Sequence, residues 1–124
     1  MLKKLYIVAL LGLFFANPAY ALSPTPPPIP LSEKPVSEIV EYFATQYNVS
    51  ARKMLNTMQC ESSLNVVAIG DNGNSFGLSQ IYLPAHRNIT QEQAQDAVFA
   101  SEFMAKEFSE GHAYEWTCYR NIYN

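Results

Sequence analysis

Glu61 lies in the run Cys60-Glu61-Ser62-Ser63-Leu64-Asn65, and Ser75-Phe76-Gly77-Leu78-Ser79-Gln80-Ile81 follows shortly after. A glutamate at a helix end, with a tight glycine turn presenting amides nearby, is equipped to protonate a glycosidic oxygen in a half-buried cleft. Two effects would keep such an acid protonated: apolar surroundings disfavour the carboxylate, and the negative end of the helix dipole does the same. Spacing predicts that placement. Ser50 is a candidate helix N-cap, Met54, Leu55 and Met58 make an apolar stripe, and Glu61 falls seven residues after Met54 and three after Met58, on the stripe expected to face the core. A charged residue there needs a reason.

The elements that must position this glutamate are mostly helical. Ser37 is a candidate cap for a first helix in which Ile39, Val40, Phe43 and Tyr47 recur at three- and four-residue spacing, until Asn48-Val49 interrupts it. Beyond the Glu61 helix, Gly70-Asp71-Asn72-Gly73-Asn74-Ser75 is dense in turn formers and predicts a loop with room for a rudimentary hairpin. Gly77 to Ile81 reads as a short helical or turn segment closed by Pro84. Thr90 and Gln93 form a capping box for the longest helix, which carries Phe99, Phe103, Met104 and Phe108 and stops before Gly111. The tail from Tyr114 to Asn124 is aromatic. With no internal repeat and little strand signal, the expected fold class is mainly α, in a small domain.

The chain divides into three parts. Lys3 and Lys4, the apolar run Leu5 to Phe15 and Ala19-Tyr20-Ala21 predict a signal peptide over 1–21. The apolar run is shorter than the roughly 18 residues that argue for a membrane span, so cleavage is expected rather than a permanent anchor. Residues 22–36 are proline-rich and predict an extended linker, and 37–124 the folded domain. The sequence holds 8 basic and 11 acidic residues; without Lys3 and Lys4 six basic ones remain, a net charge of −5. That argues against nucleic acid, for which a basic footprint is expected. Cys60 and Cys118 in an exported chain predict one intramolecular disulfide, with two free thiols or an intermolecular bridge as the alternatives. His86 and His112 have no metal-ligand spacing with each other or with a carboxylate, so no metal or other cofactor is expected. Phe76, Tyr82, Tyr114 and Trp116 could stack on sugar rings or fill the core.

Glu61-Ser62 followed by Asn65, then Gly73 and Ser75-Phe76-Gly77-Leu78-Ser79-Gln80-Ile81, resembles the motif of the soluble-type lytic transglycosylases in the lysozyme-like superfamily. The resemblance implies a small lysozyme-like domain in which Glu61 is the sole catalytic acid and base, Ser62 lies beside it and Gln80 lines the cleft. It implies peptidoglycan glycan strands as substrate, cut at the bond between N-acetylmuramic acid and N-acetylglucosamine without water, leaving a 1,6-anhydro end. A monomer in the periplasm or extracellular space is expected, with a partner in the envelope machinery left open.

Two departures qualify this picture. The family's alanine-tyrosine-asparagine-alanine-glycine segment is missing; Tyr119, in Cys118-Tyr119-Arg120, is the nearest substitute and Tyr123-Asn124 a competing one. Animal lysozymes place an aspartate two residues before the comparable glycine turn, and Ser75 stands there instead. Asp71 is the nearest acid, in a stretch where aspartate commonly caps a turn. A hydrolytic muramidase and a weakly catalytic wall-binding module are therefore the alternatives.

Overall fold

A computed structural model of the protein describes residues 26–124 and, in isolation, Gly12; the predicted signal peptide and the start of the linker lie outside the described residues. Helix α1 spans Val36–Tyr47 and α2 spans Ala51–Ser62. They are separated by Asn48, whose left-handed backbone (φ 53°) ends α1 where the sequence predicts a break. Ser50 caps α2 as expected, its side chain accepting from the Lys53 amide. Ser37 does not cap α1. The helix starts two residues earlier, with Pro35 in the cap position, and the Pro35 carbonyl accepts from the Glu38 and Ile39 amides at 3.0 and 3.2 Å. Leu31, in a 3-10 turn over Leu31–Glu33, and Val36 pack against the core, so the folded unit takes in the end of the proline-rich segment.

Three two-residue strands follow α2: β1 (Ile69–Gly70), β2 (Ser75–Phe76) and β3 (Ile81–Tyr82). They form an antiparallel meander in which Ile69 faces Phe76, Gly70 faces Ser75, Ser75 faces Tyr82 and Phe76 faces Ile81. Gly77–Gln80 is the tight connection between β2 and β3, not a helix, and Pro84 sits in a 3-10 turn over Leu83–Ala85.

The capping box of Thr90 and Gln93 is present, but it starts a four-residue helix α3, Gln91–Ala94, and not the long one. The chain resets at Gln95 and Asp96, whose carboxylate accepts from the Phe99 amide and begins α4, Ala97–Ser109. Two good caps six residues apart make two helices, because each fixes a non-helical backbone at its own position. At the other end of α4, Gly111 (φ 83°) donates to the Phe108 carbonyl and His112 to that of Glu107, a Schellman motif that stops the helix as predicted. Helix α5, Thr117–Tyr123, closes the chain.

The core lies between α1, α2 and α4, with Ile39, Val40, Phe43, Met54, Met58 and Met104 buried in it. Phe76, Ile81 and Ala94 form a smaller cluster under the sheet. Cys60 of α2 and Cys118 of α5 are joined in a disulfide with their Cα atoms 5.8 Å apart. The protein is thus mainly helical with one disulfide. No helix among the described residues is long and apolar enough to cross a membrane.

Candidate active site

The Gly77–Gln80 turn is the piece around which the site is assembled, because three separate elements hydrogen-bond to it. The Ser62 hydroxyl of α2 lies 2.9 Å from the carbonyl oxygens of both Met58 and Leu78 and shares its one proton between them. Ser79, fully buried, donates to the Ala100 carbonyl of α4 at 2.7 Å. The Trp116 indole N–H donates to the Ser79 carbonyl at 2.7 Å and brings the tail in from a third side. A turn whose polar groups are paired with three elements is fixed in place, as buried polar groups must be.

Glycine at 77 is required on two grounds. Its φ is +78°, and a Cβ there would stand 1.7 Å from the Ala94 carbonyl oxygen, a backbone atom that cannot step aside. Gly77→Ala is expected to destabilise the fold by well over 1 kcal/mol, read as a fall in the chemical-denaturation midpoint. An unchanged midpoint would mean that the turn is not packed on α3.

Beside this turn opens a cleft of roughly 180 Å³. Glu61 borders it from the last turn of α2, and Asp71, Ser75, Gln80 and Tyr82 from the sheet and its turns. His86 and Phe103 also line it, their rings edge to face with centroids 5.1 Å apart, and Glu115, Trp116 and Thr117 come from the tail. Among the described residues, three acidic side chains line this space and no lysine or arginine does. Such a lining suits developing positive charge better than an anionic ligand.

Glu61 is half-buried at this border. Its Oε1 accepts the Cys118 backbone N–H at 3.1 Å, so when the group is protonated the proton resides on the other oxygen. Burial is the main cause that holds its pKa above the usual carboxylate range; the negative charge of Asp71 adds to this, while the Cys118 amide and the Arg120 guanidinium pull the other way. Burial thus has the direction expected from the sequence. The Cys118 amide and the two charged neighbours become apparent only once the tail is folded back.

The predicted site residues separate in the structure. Glu61 and Gln80 share the cleft. Gln80 takes a left-handed backbone (φ 46°), and its Nε2 donates to the Gly77 carbonyl at 3.0 Å. Its Oε1 fills the space above Gly70, where any Cβ would come within 2.2 Å of it.

Ser62 and Tyr119 do not line the cleft. Ser62 follows Glu61 by one residue and therefore points about 100° further round α2, into the core, where it anchors the turn. Tyr119 is displaced for the same reason. Cys118 faces α2 through the disulfide, and one residue later Tyr119 turns inward, 7 % exposed, against Phe108, Tyr114 and Tyr123. The tail does reach Glu61, through the Cys118 backbone amide, and Trp116 borders the same cleft.

Asp71, read as a turn aspartate, does both jobs. It sits at φ 50° in the β1–β2 turn, and its carboxylate accepts the Ser75 hydroxyl while also lining the cleft. The pair was missed because Asp71 and Ser75 carry ordinary turn signals. Likewise Glu107, Glu110 and His112, without ligand spacing in the sequence, come together within 4.8 Å as the chain reverses at Gly111. Their closest contact is a 2.7 Å bond between His112 Nδ1 and Glu107, which raises the imidazole pKa. Of the candidate stacking residues, Trp116 and Tyr82 border the cleft, Phe76 is core and Tyr114 is exposed outside it.

Compared with protein-family models, with curated proteins and with solved structures, the chain has no significant match.

Proposed function

We propose that the chain is an exported peptidoglycan lytic transglycosylase, with Glu61 as its one general acid and base. The observation that carries this reading is the state of Glu61 itself. It is half-buried at the end of α2, its pKa is raised, and one oxygen is held by an amide, beside the glycine turn that carries Gln80. Protonated Glu61 donates to the glycosidic oxygen as the bond from the anomeric carbon to that oxygen breaks. The positive charge then spreading over the ring faces the carboxylates of Asp71 and Glu115. Now a carboxylate, Glu61 takes the proton of the muramyl 6-hydroxyl as that oxygen attacks the anomeric carbon and closes the 1,6-anhydro ring. One carboxyl group serves both steps and no water is consumed. The resemblance over Glu61 to Ile81 supplies the substrate class, and the Cys60–Cys118 disulfide supports an oxidising, exported setting.

Asp71 favours a second reading. A carboxylate in the same cleft as the acid is what a hydrolytic muramidase uses to stabilise or trap the glycosyl cation. Digestion of purified peptidoglycan followed by mass spectrometry separates the two. Products lighter by one water and without a reducing end are expected; reducing-end products would establish hydrolysis instead, and no release at all a binding module. In the same assay Asp71→Asn should slow the lytic reaction less than tenfold, roughly, because the aspartate assists a charge it does not bond. It should also move the alkaline fall in activity to lower pH, since the charge that helps raise the Glu61 pKa is gone. Complete loss with Asp71→Asn would support the hydrolytic reading.

A further inference from the structure

The acidic side chains of the cleft are not equally committed. The Glu61 carboxyl group accepts the Cys118 amide, and that of Asp71 accepts the Ser75 hydroxyl. Glu115 ends the 3-10 turn Ala113–Glu115 that leads into the tail. It is exposed, and its carboxylate takes part in no ion pair or hydrogen bond among the described residues. Arg120 does not neutralise it. That guanidinium stays off the cleft lining and donates instead to the Tyr114 and Glu115 carbonyls and to the Thr117 hydroxyl. His86 and Tyr82 are the other titratable groups on the lining.

Two carboxylates besides the acid therefore border the space that a sugar unit of the strand would enter, with no fixed cation to balance them. An ionised carboxylate only accepts hydrogen bonds. The acetamido group of an N-acetylated sugar brings one N–H donor together with a carbonyl oxygen, which two carboxylates repel. An ammonium on the same carbon brings three donors, a full positive charge and no acceptor. The lining thus discriminates by the sign of charge, and the acidic balance of the whole chain acts in the same direction.

We propose that the cleft prefers glycan strands whose glucosamine units carry a free amine in place of the N-acetyl group, with Glu115 receiving the ammonium and Asp71 adding to the attraction. The proposal rests on the lytic transglycosylase reading for the strand and adds the choice of sugar, with Glu115 as the specificity-determining residue. Binding is measured first, without catalysis. The β-1,4-linked tetramers of glucosamine and of N-acetylglucosamine are titrated into the Glu61→Gln protein, at a pH where the sugar amine is charged, and followed by amide NMR. The glucosamine tetramer is expected to bind roughly three- to tenfold more tightly at low ionic strength, with shifts at Asp71, Glu115 and Thr117. That gain should shrink as salt is added, and most of it should disappear when Glu115→Gln is combined with Glu61→Gln.

The second arm compares kcat/KM for release from intact peptidoglycan with that for the same material after enzymatic removal of the glucosamine acetyl groups. De-N-acetylated strands should be the better substrate, and Glu115→Gln should bring the ratio towards unity. Equal binding of the two tetramers, no binding of either at millimolar concentration, or equal cleavage of the two substrates would each overturn the proposal. So would a preference that survives Glu115→Gln, which would trace it to the overall acidity of the chain. A glucosamine preference in a protein that releases nothing from either substrate would leave the amine assignment standing and overturn only the lytic reading.

Discussion

Glu61→Gln is expected to cut glycan release by about 10²- to 10⁴-fold, the range that general acid catalysis supplies, and at the same time to make the fold more resistant to heat at neutral pH. The two effects share one cause. The amide keeps the shape of the side chain and can still accept the Cys118 N–H, but it carries no transferable proton. In the native protein, burial raises the Glu61 pKa, so the folded state binds that proton more tightly than the unfolded chain does. The resulting stabilisation is fully present below the unfolded pKa and is lost as pH rises through the folded one. At neutral pH the carboxylate is a half-buried charge that the glutamine does not have.

The thermal midpoint of the variant should therefore exceed that of the native protein at neutral pH, and the gap should close on acidification. Activity should show the complementary profile, falling as pH rises through the raised pKa, because the acid must begin protonated. Retained activity in Glu61→Gln would remove the site assignment. A variant no more stable than the native chain at neutral pH would show that burial does not govern this carboxyl group.

Breaking the Cys60–Cys118 bond should cost about 4 kcal/mol, the chain-entropy value for a crosslink that spans 58 residues of sequence. Against the 5–15 kcal/mol typical of a whole domain, that is a large share of the stability. The functional loss should come earlier than the unfolding. Once α5 is released, Glu61 loses the Cys118 amide, and the cleft loses the Trp116 and Thr117 side. Without that amide the geometry of the acid loosens. The measurement is glycan release by the reduced protein, or by a Cys60→Ser, Cys118→Ser pair, at a temperature where circular dichroism shows intact helices. Full activity under those conditions would separate the tail from the site.

Local signals served well where a few neighbouring residues settle the outcome. The apolar spacing of Ile39, Val40 and Phe43, and of Met54 and Met58, located two helices and their buried faces. Ser50, Asn48 and Gly111 marked the ends they were expected to mark. The same kind of signal misled where two caps competed, since Thr90–Gln93 and Asp96 each start a helix and the eye joins them into one. Of the sheet it offered only a turn with room for a rudimentary hairpin, since strands of two residues are too short for any alternation to register.

The sequence by itself determined the helical framework, the one possible cysteine pair and the place of Glu61 near a glycine turn, because each depends on residue type and short spacing. Only the tertiary structure decided what surrounds that acid. Cys118 meets Glu61 across 57 residues and Trp116 meets Ser79 across 37, contacts that no local pattern encodes. One step of rotation along a helix then sent Ser62 and Tyr119 into the core. The same folding brought Asp71, a turn residue by every local sign, to the cleft.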